Sequence, residues 1–303
     1  MAILYLAGLS RRTLALVSNR LLGVEVSPQT VMNSLKIIEK QAVSWLERPI
    51  KRDYWALYID GTNFRVQRRG TTEKEPSLVV VGLDQNNHTS ILAIEPGTKE
   101  NTESWENVFD SLIKRGLNPK SVRIGIMDGL PGLESTFKNT FHEAVTARCW
   151  VHALKNAMNK TPARFRELFK KKIHRVMYAG SQNEARTAFK QLKTDMGSDC
   201  ARAISCLEKD LDSLLVHYQF EKNLWRVLRT TNPIERVNKE LKRRTKSMET
   251  MGSETLEKVL AFTALRLEFN WSKVPANASQ YENLMWIKRQ PNQIESTMDT
   301  LTH

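Results

Sequence analysis

Cysteine is scarce: Cys149, Cys200 and Cys206 are the only three, an odd set that gives no disulfide framework and favours a reducing interior. Long apolar runs are missing too. Stretches such as Leu78–Leu83 fall far short of the roughly 20 residues a bilayer-spanning helix needs, so no membrane span is expected. Met1–Leu9 is apolar, but no basic residue precedes it and Arg11 and Arg12 follow it, the reverse of a secretory signal. Internal repeats and low-complexity tracts are absent. Acidic residues fall short as well: 33 Asp and Glu face 46 Lys and Arg, leaving a formal charge of +13. An excess of that size points to nucleic acid or another anionic surface.

What remains is the make-up of a globular protein, 41% hydrophobic and 26% charged, and 303 residues suit two domains better than one. The positive charge is concentrated. Lys155–Arg175 and Lys222–Lys246 carry +7 each, so the rest of the chain is close to neutral.

Residues 1–50 read as two helices, one capped by Ser10 and stopped at Gly23, the next opened by Ser27-Pro28 and running to about Glu47. That pair suits a helix-turn-helix or an ordinary helical hairpin. From Asp53 the pattern changes to short β-branched and aromatic runs, Tyr54–Ile59, Asn63–Gln67, Leu78–Leu83 and Ser90–Ile94, broken by turn residues. An amphipathic helix follows through Trp105, Val108, Phe109 and Leu112, then a strand over Val122–Met127, a helix over Leu133–Phe141 and a strand over Ala144–Ala147. Beyond Cys149 only helical stripes recur, on Phe165–Met177, Ala185–Met196 and Ile204–Leu215. Asn232-Pro233 opens a further helix faced by Ile234, Val237, Leu241 and Met248, and Leu256–Leu267 supply a last one. The expected class is mixed α/β, with antiparallel strands first and crossover helices later.

Three acids stand at ends of these elements. Asp60 closes the first run, Asp128 closes the strand after the crossover helix, and Glu235 lies in the first turn after Asn232-Pro233. Carboxylates brought together from two strands and a helix can hold two divalent cations for in-line attack at phosphorus, and Mg²⁺ asks only for hard oxygen ligands. Plainer accounts exist for each acid: Asp60-Gly61 as a hairpin turn, and Glu235 as the partner of Asn232 in a capping box.

The order of strands, acids and helices resembles the RNase H-like (retroviral-integrase-like) fold of the DDE recombinases, and more closely the transposases of Mutator-type bacterial insertion sequences. The likeness is carried by Asp60-Gly61, by Asp128-Gly129 with Gly132 and Leu133, by Cys149-Trp150-Val151-His152, and by Leu228-Arg229-Thr230-Thr231-Asn232-Pro233-Ile234-Glu235-Arg236 with Asn238 and Arg243-Arg244-Thr245-Lys246. It implies a helix-turn-helix region at 1–50, shortened at its start if Met1 is the true beginning. A core follows at 51–152, then an all-helical insertion at 153–225, core helices with the third acid at 226–290, and a polar tail at 291–303. It also implies that Asp60, Asp128 and Glu235 are catalytic and bind two Mg²⁺ or Mn²⁺ ions. The partners implied are transposon-end and target DNA, with a homodimer or higher oligomer assembled on them in the bacterial cytoplasm, at the nucleoid.

Arg236, Lys239, Lys242, Arg243 and Lys246 would carry DNA backbone past the acids, and Lys170, Lys171 and Lys172 would form a second phosphate-binding surface. Trp225 would stack on a displaced base or pack as core. Cys149 and His152 form a C-x-x-H motif that either orients the insertion or contributes two of the four ligands a zinc site needs, with His142, Cys200 and Cys206 as candidates to complete it. Three readings stay open: a DNA-cutting and DNA-joining enzyme, a shortened non-catalytic remnant that occupies transposon ends or inhibits full-length transposase, and a ribonuclease H-type nuclease.

Overall fold

A computed structural model describes residues 11–23, 27, 33, 40, 43–68, 71–86, 88–96, 101–246 and 253–271. Its centre is a five-stranded sheet formed by β1 (Tyr54–Arg68), β2 (Thr71–Asp84), β3 (Thr89–Pro96), β4 (Ile124–Met127) and β5 (Val145–Arg148), in the order β3-β2-β1-β4-β5. The three long strands form an antiparallel meander. β4 and β5 join parallel to β1 and to each other, each after a crossover helix.

Period-two alternation divides the sheet into two buried faces. Leu57, Ile59, Leu78 and Val80 point to one face, covered by α2 (Thr102–Lys114) and α3 (Pro131–Thr140) through Trp105, Val108, Phe109, Leu112 and Phe137. Asn101 caps α2 by accepting the Ser104 N–H at 2.9 Å, and Pro131 starts α3 where no backbone donor is needed. Ala56, Tyr58, Phe64, Ile124 and Ile126 point to the other face, covered by α9 (Asn232–Lys246) and α10 (Ser253–Trp271) through Ile234, Val237, Leu241, Leu256 and Val259.

A third core lies among α4 (Trp150–Asn159), α5 (Arg166–Met177), α6 (Gln182–Met196) and α7 (Ala201–Leu214), where Trp150, Phe169, Ile173, Phe189, Leu192 and Leu207 are buried together. A short α8 (Trp225–Leu228) leads from there to α9. Leu168, expected on the α5 stripe, is 49% exposed, because Phe169, Ile173 and Val176 already set the buried face.

Two expectations change. Tyr54–Ile59 and Asn63–Gln67 are one continuous strand rather than two, so Asp60 sits inside β1, paired with Val79, and Asp60-Gly61 is no hairpin turn. The apolar face of β1 continues through Ala56, Tyr58, Phe64 and Val66, with Asp60 and Thr62 occupying the positions between. Asn232 is itself helical, and the Glu235 N–H bonds the Thr231 carbonyl at 2.8 Å, so Thr231 rather than Asn232 stands at the capping position.

At the N-terminal end, α1 (Arg11–Leu22) stops at Gly23, whose φ of +64° is the left-handed conformation that ends a helix at least cost with glycine. Most of the expected second helix, Met248 and the tail 291–303 lie outside the described residues. No helix among the described residues is long and apolar enough to cross a membrane.

Candidate active site

Asp60 shares the α9-covered face with Ala56 and Tyr58, and β1 runs parallel to β4 with Ile59 opposite Met127. Asp128, the next residue after β4, therefore follows directly beside Asp60. Strands neighbouring in this way lie about 4.8 Å apart. Above them the first two turns of α9 carry Glu235 and, three residues on, Asn238 on the buried side. All three acids are half-buried.

Asn238 Nδ2 donates to Asp60 Oδ2 at 2.7 Å, and the Asn238 amide oxygen is buried with no hydrogen-bond partner. Burial raises the Asp60 carboxyl from 3.8 to about 6; the negative charges of Asp128 and Glu235 add to the rise, while His152 and Lys242 oppose it. Asp128 Oδ1 accepts the Gly129 N–H at 3.1 Å. Glu235 Oε1 accepts the Thr231 hydroxyl at 3.3 Å.

Thr231, fully buried, also lies 3.1 Å from the Cys149 sulfur, so Cys149, Thr231 and Glu235 form a continuous polar chain. Burial alone would raise the Cys149 thiol, but hydrogen bonds with His152 and Thr231 outweigh it and lower it. The same hydrogen bond with Cys149 raises His152 to about 9 against the effect of burial, helped by the negative charges of Asp128 and Asp60. The C-x-x-H motif thus faces the acids. His142 is exposed, Cys200 is buried in the helical core, and among the described residues no three His, Cys, Asp or Glu side chains lie close enough to hold a metal as they stand.

The basic residues fall into two groups. On α9, Lys239, Lys242 and Lys246 are exposed, and Lys242 is close enough to influence Asp60. Arg243 is exposed too, but is held to Glu240 at 2.8 Å. Arg236 is exposed one residue past Glu235. On α5, Lys170 and Lys171 are exposed, whereas Lys172 pairs with Asp195. Trp225 is half-buried: its indole N–H donates to the Phe220 carbonyl at 2.8 Å and its ring meets Tyr218 edge-on.

Asn238 and Thr231 are the residues that sequence reasoning leaves inside a motif without a role. Their positions in the Thr231–Asn238 stretch are plain to see, but their partners are distant in the chain and no local pattern signals them.

The chain belongs to the Mutator family of transposases: the model of that family, "Transposase, Mutator family", matches residues 1–274. Among individual relatives, it is 29% identical over 258 residues to the transposase for insertion sequence element IS905 of Lactococcus lactis, covering 85% of this chain and 65% of that protein. It is 28% identical over 263 residues to the transposase for IS6120 of Mycolicibacterium smegmatis, covering 86% and 80%. The chain thus spans only about two thirds of the first relative's length. A solved structure, the Drosophila P element transposase strand transfer complex, aligns over 82% of this chain and 74% of that one with 9% identity. The TM-score of that alignment is 0.32.

Proposed function

We propose that this protein is a DDE transposase that cuts and joins DNA at insertion-sequence ends, with Asp60, Asp128 and Glu235 as its catalytic carboxylates on an RNase H-like sheet. The observation that carries the reading is the Asp60 carboxyl, raised to about 6 by burial and by the two other acids on the same face. Like charges gathered in a half-buried place are what a bound cation relieves.

The donor set fits a hard divalent ion: three carboxylates, and the partnerless amide oxygen of Asn238 beside Asp60. Two Mg²⁺ or Mn²⁺ ions held there would supply activation of a water or a DNA 3′-hydroxyl and stabilisation of the leaving oxygen. The residues of the chain do the rest. Asn238 holds Asp60 in place, and Thr231 holds Glu235 until side-chain rotation turns that carboxylate toward Asp60 and Asp128. Arg236, Lys239, Lys242, Arg243 and Lys246 then bind the backbone of the DNA beside the acids. Lys170, Lys171 and Lys172 bind a second stretch on the helical insertion, and the solvent side of Trp225 receives a displaced base. Cys149 and His152 brace the third acid, with no zinc involved. The N-terminal helices read DNA as a helix-turn-helix, and assembly on the transposon ends as a homodimer or higher oligomer follows from the need to process two ends.

Nicking of a terminal-repeat duplex tests the reading. Cleavage that needs Mg²⁺ or Mn²⁺ and disappears in Asp128→Asn supports it. A wild-type protein that binds the duplex but is as inert as the variant would mean a non-catalytic remnant, and cleavage confined to RNA–DNA hybrid would mean a ribonuclease H-type nuclease.

A further inference from the structure

One face of α5 turns two large apolar side chains outward in line with its exposed cations. Leu168, Lys171, Arg175 and Tyr178 follow at i, i+3, i+7 and i+10, the spacing of a single helix face, and all four are exposed. Tyr178, the residue that closes α5, is 59% exposed and is the one exposed Phe, Tyr or Trp ring among the described side chains. Its ring is held without being covered. The Arg229 guanidinium lies over one face, 4.8 Å from the centroid, and the His174 ring meets it edge-on at 5.7 Å, which leaves the opposite face to solvent. Arg229 is itself fixed: Nη1 donates to the Met177 carbonyl at 2.8 Å, Nε to the Trp225 carbonyl at 3.2 Å, and its own carbonyl accepts the Trp150 N–H at 3.0 Å. It stands two residues before Thr231, so the ring is tied to the stretch that leads into Glu235. Trp225, by contrast, spends its N–H on Phe220, takes Tyr218 edge-on and has the Lys222 ammonium 5.9 Å from its centroid.

We propose that Tyr178 is a stacking platform for an unpaired base of the DNA, with Lys171 and Arg175 receiving the backbone of the same strand. A lone exposed ring is ordinary on a protein surface. One backed by a guanidinium and approached by a line of cations matches the way single strands are bound, base on ring and phosphate on cation. Lys171 and Arg175 stand four residues, about 6 Å, apart along the axis, and Tyr178 about 4.5 Å further, so a strand that follows the cations arrives with a base over the ring. Bases inside a duplex have no free face to offer. The partner is therefore a single strand or a frayed DNA end. The proposal rests on the reading of α5 as a DNA-facing surface, and not on the roles of the three acids.

The test uses the full chain in a chelator, with a fluorescent oligothymidine strand as probe and a closed-circular duplex as competitor. No metal is needed, so the outcome does not depend on whether the three acids are catalytic. Stacking of one base on an aromatic ring is worth about 5- to 150-fold in affinity. Tyr178→Ala should therefore weaken strand binding at least about 5-fold, while affinity for the circle stays within about twofold and the melting temperature is unchanged. Tyr178→Phe and Tyr178→Trp should keep the wild-type affinity, because the ring and not the hydroxyl does the stacking. Lys171→Gln combined with Arg175→Gln should lower the log–log salt slope by about 0.7 for each phosphate no longer neutralised, whereas Tyr178→Ala should leave that slope as it is. Strand affinity within about twofold of wild type in Tyr178→Ala overturns the proposal, as does an equal loss for strand and circle. Dissociation of an oligomer by Tyr178→Ala at unchanged strand affinity overturns it too, and makes the ring a contact between copies. A wild-type chain that binds neither probe overturns it together with the DNA reading of the insertion.

Discussion

Asn238 on α9 and Asp60 inside β1 lie 178 positions apart in the chain and 2.7 Å apart in space, joined by a hydrogen bond from the amide to the carboxylate. That bond ties the helix bearing Glu235 to the strand bearing Asp60. It favours the charged carboxylate that burial and neighbouring acids resist, and the net result is a group that titrates near 6.

The resistance has a sign. Because the folded-state value of Asp60 lies above its unfolded value of 3.8, the folded protein holds the proton longer, and stability falls as pH rises from about 4 through about 6. Asp60→Asn should therefore stabilise the metal-free protein at pH 7 by up to about 3 kcal/mol while abolishing nicking. Denaturant unfolding in a chelator checks it: the gain should shrink steadily as the pH is lowered toward 4.

Metal binding should release the same proton. At pH 5.5 most Asp60 carboxyls are protonated and must give up the proton to bind a cation, whereas at pH 7.5 almost none are. Mn²⁺ titration calorimetry in buffers of different ionisation enthalpy should show most of one proton released at the lower pH and almost none at the higher.

The fold is legible where one local signal decides the matter. Four of the five strands and the crossover helices follow from apolar runs and their period. Asp60, Gly61 and Asn63 read as turn residues that divide β1 in two, yet ladder pairing on both sides of them overrides that local preference. The outer half of β2, Thr71–Glu75, has no apolar residue to announce it and is a strand by backbone pairing with Phe64–Arg68. At the candidate site the three acids stand out through spacing and family likeness. Asn238 and Thr231 do not, since each depends on a partner that only tertiary structure supplies.

Thr231 bridges two groups that its removal would leave bare. Thr231→Val keeps the shape but removes the hydroxyl between Cys149 and Glu235, and should cost about 1 to 2 kcal/mol of stability and lower nicking at least tenfold. Cys149→Ser, which can still bond Thr231, should keep more activity than Cys149→Val. Parallel melting and nicking assays separate the two effects.

His217 is buried in the helical region, held by a hydrogen bond from Nδ1 to the Leu214 carbonyl at 3.0 Å, and burial lowers it to about 4. The unfolded chain takes up a proton from about 6.5 downward while the folded protein resists until about 4, so stability is lost as pH falls through that window. The loss should reach about 3 kcal/mol. Replacing His217 with Gln should flatten the slope of stability against pH between 6.5 and 4, measured by denaturant unfolding at a series of pH values.

Lys170 and Lys171 are exposed, while Lys172 is paired with Asp195. Changing Lys170 and Lys171 together to Gln should lower the salt dependence of duplex binding by about 0.9 in log–log slope for each phosphate that is no longer neutralised, with no change in melting temperature. Lys172→Gln should alter the slope less. Equilibrium binding across a salt series tests both.

Asp60 differs from its two companions in what it stands on. It lies in the middle of a fifteen-residue strand, clamped by antiparallel pairing with β2 on one side and adjoining the parallel ladder to β4 on the other. A one-residue slip there would turn every side chain of the strand over, and no part of a sheet yields less readily. Asp128 rides on a turn, and Glu235 on the first turn of a helix. In the proposed enzyme, Asp60 is the fixed datum against which the chemistry is aligned, and whatever accommodation a DNA end demands is made by the other two.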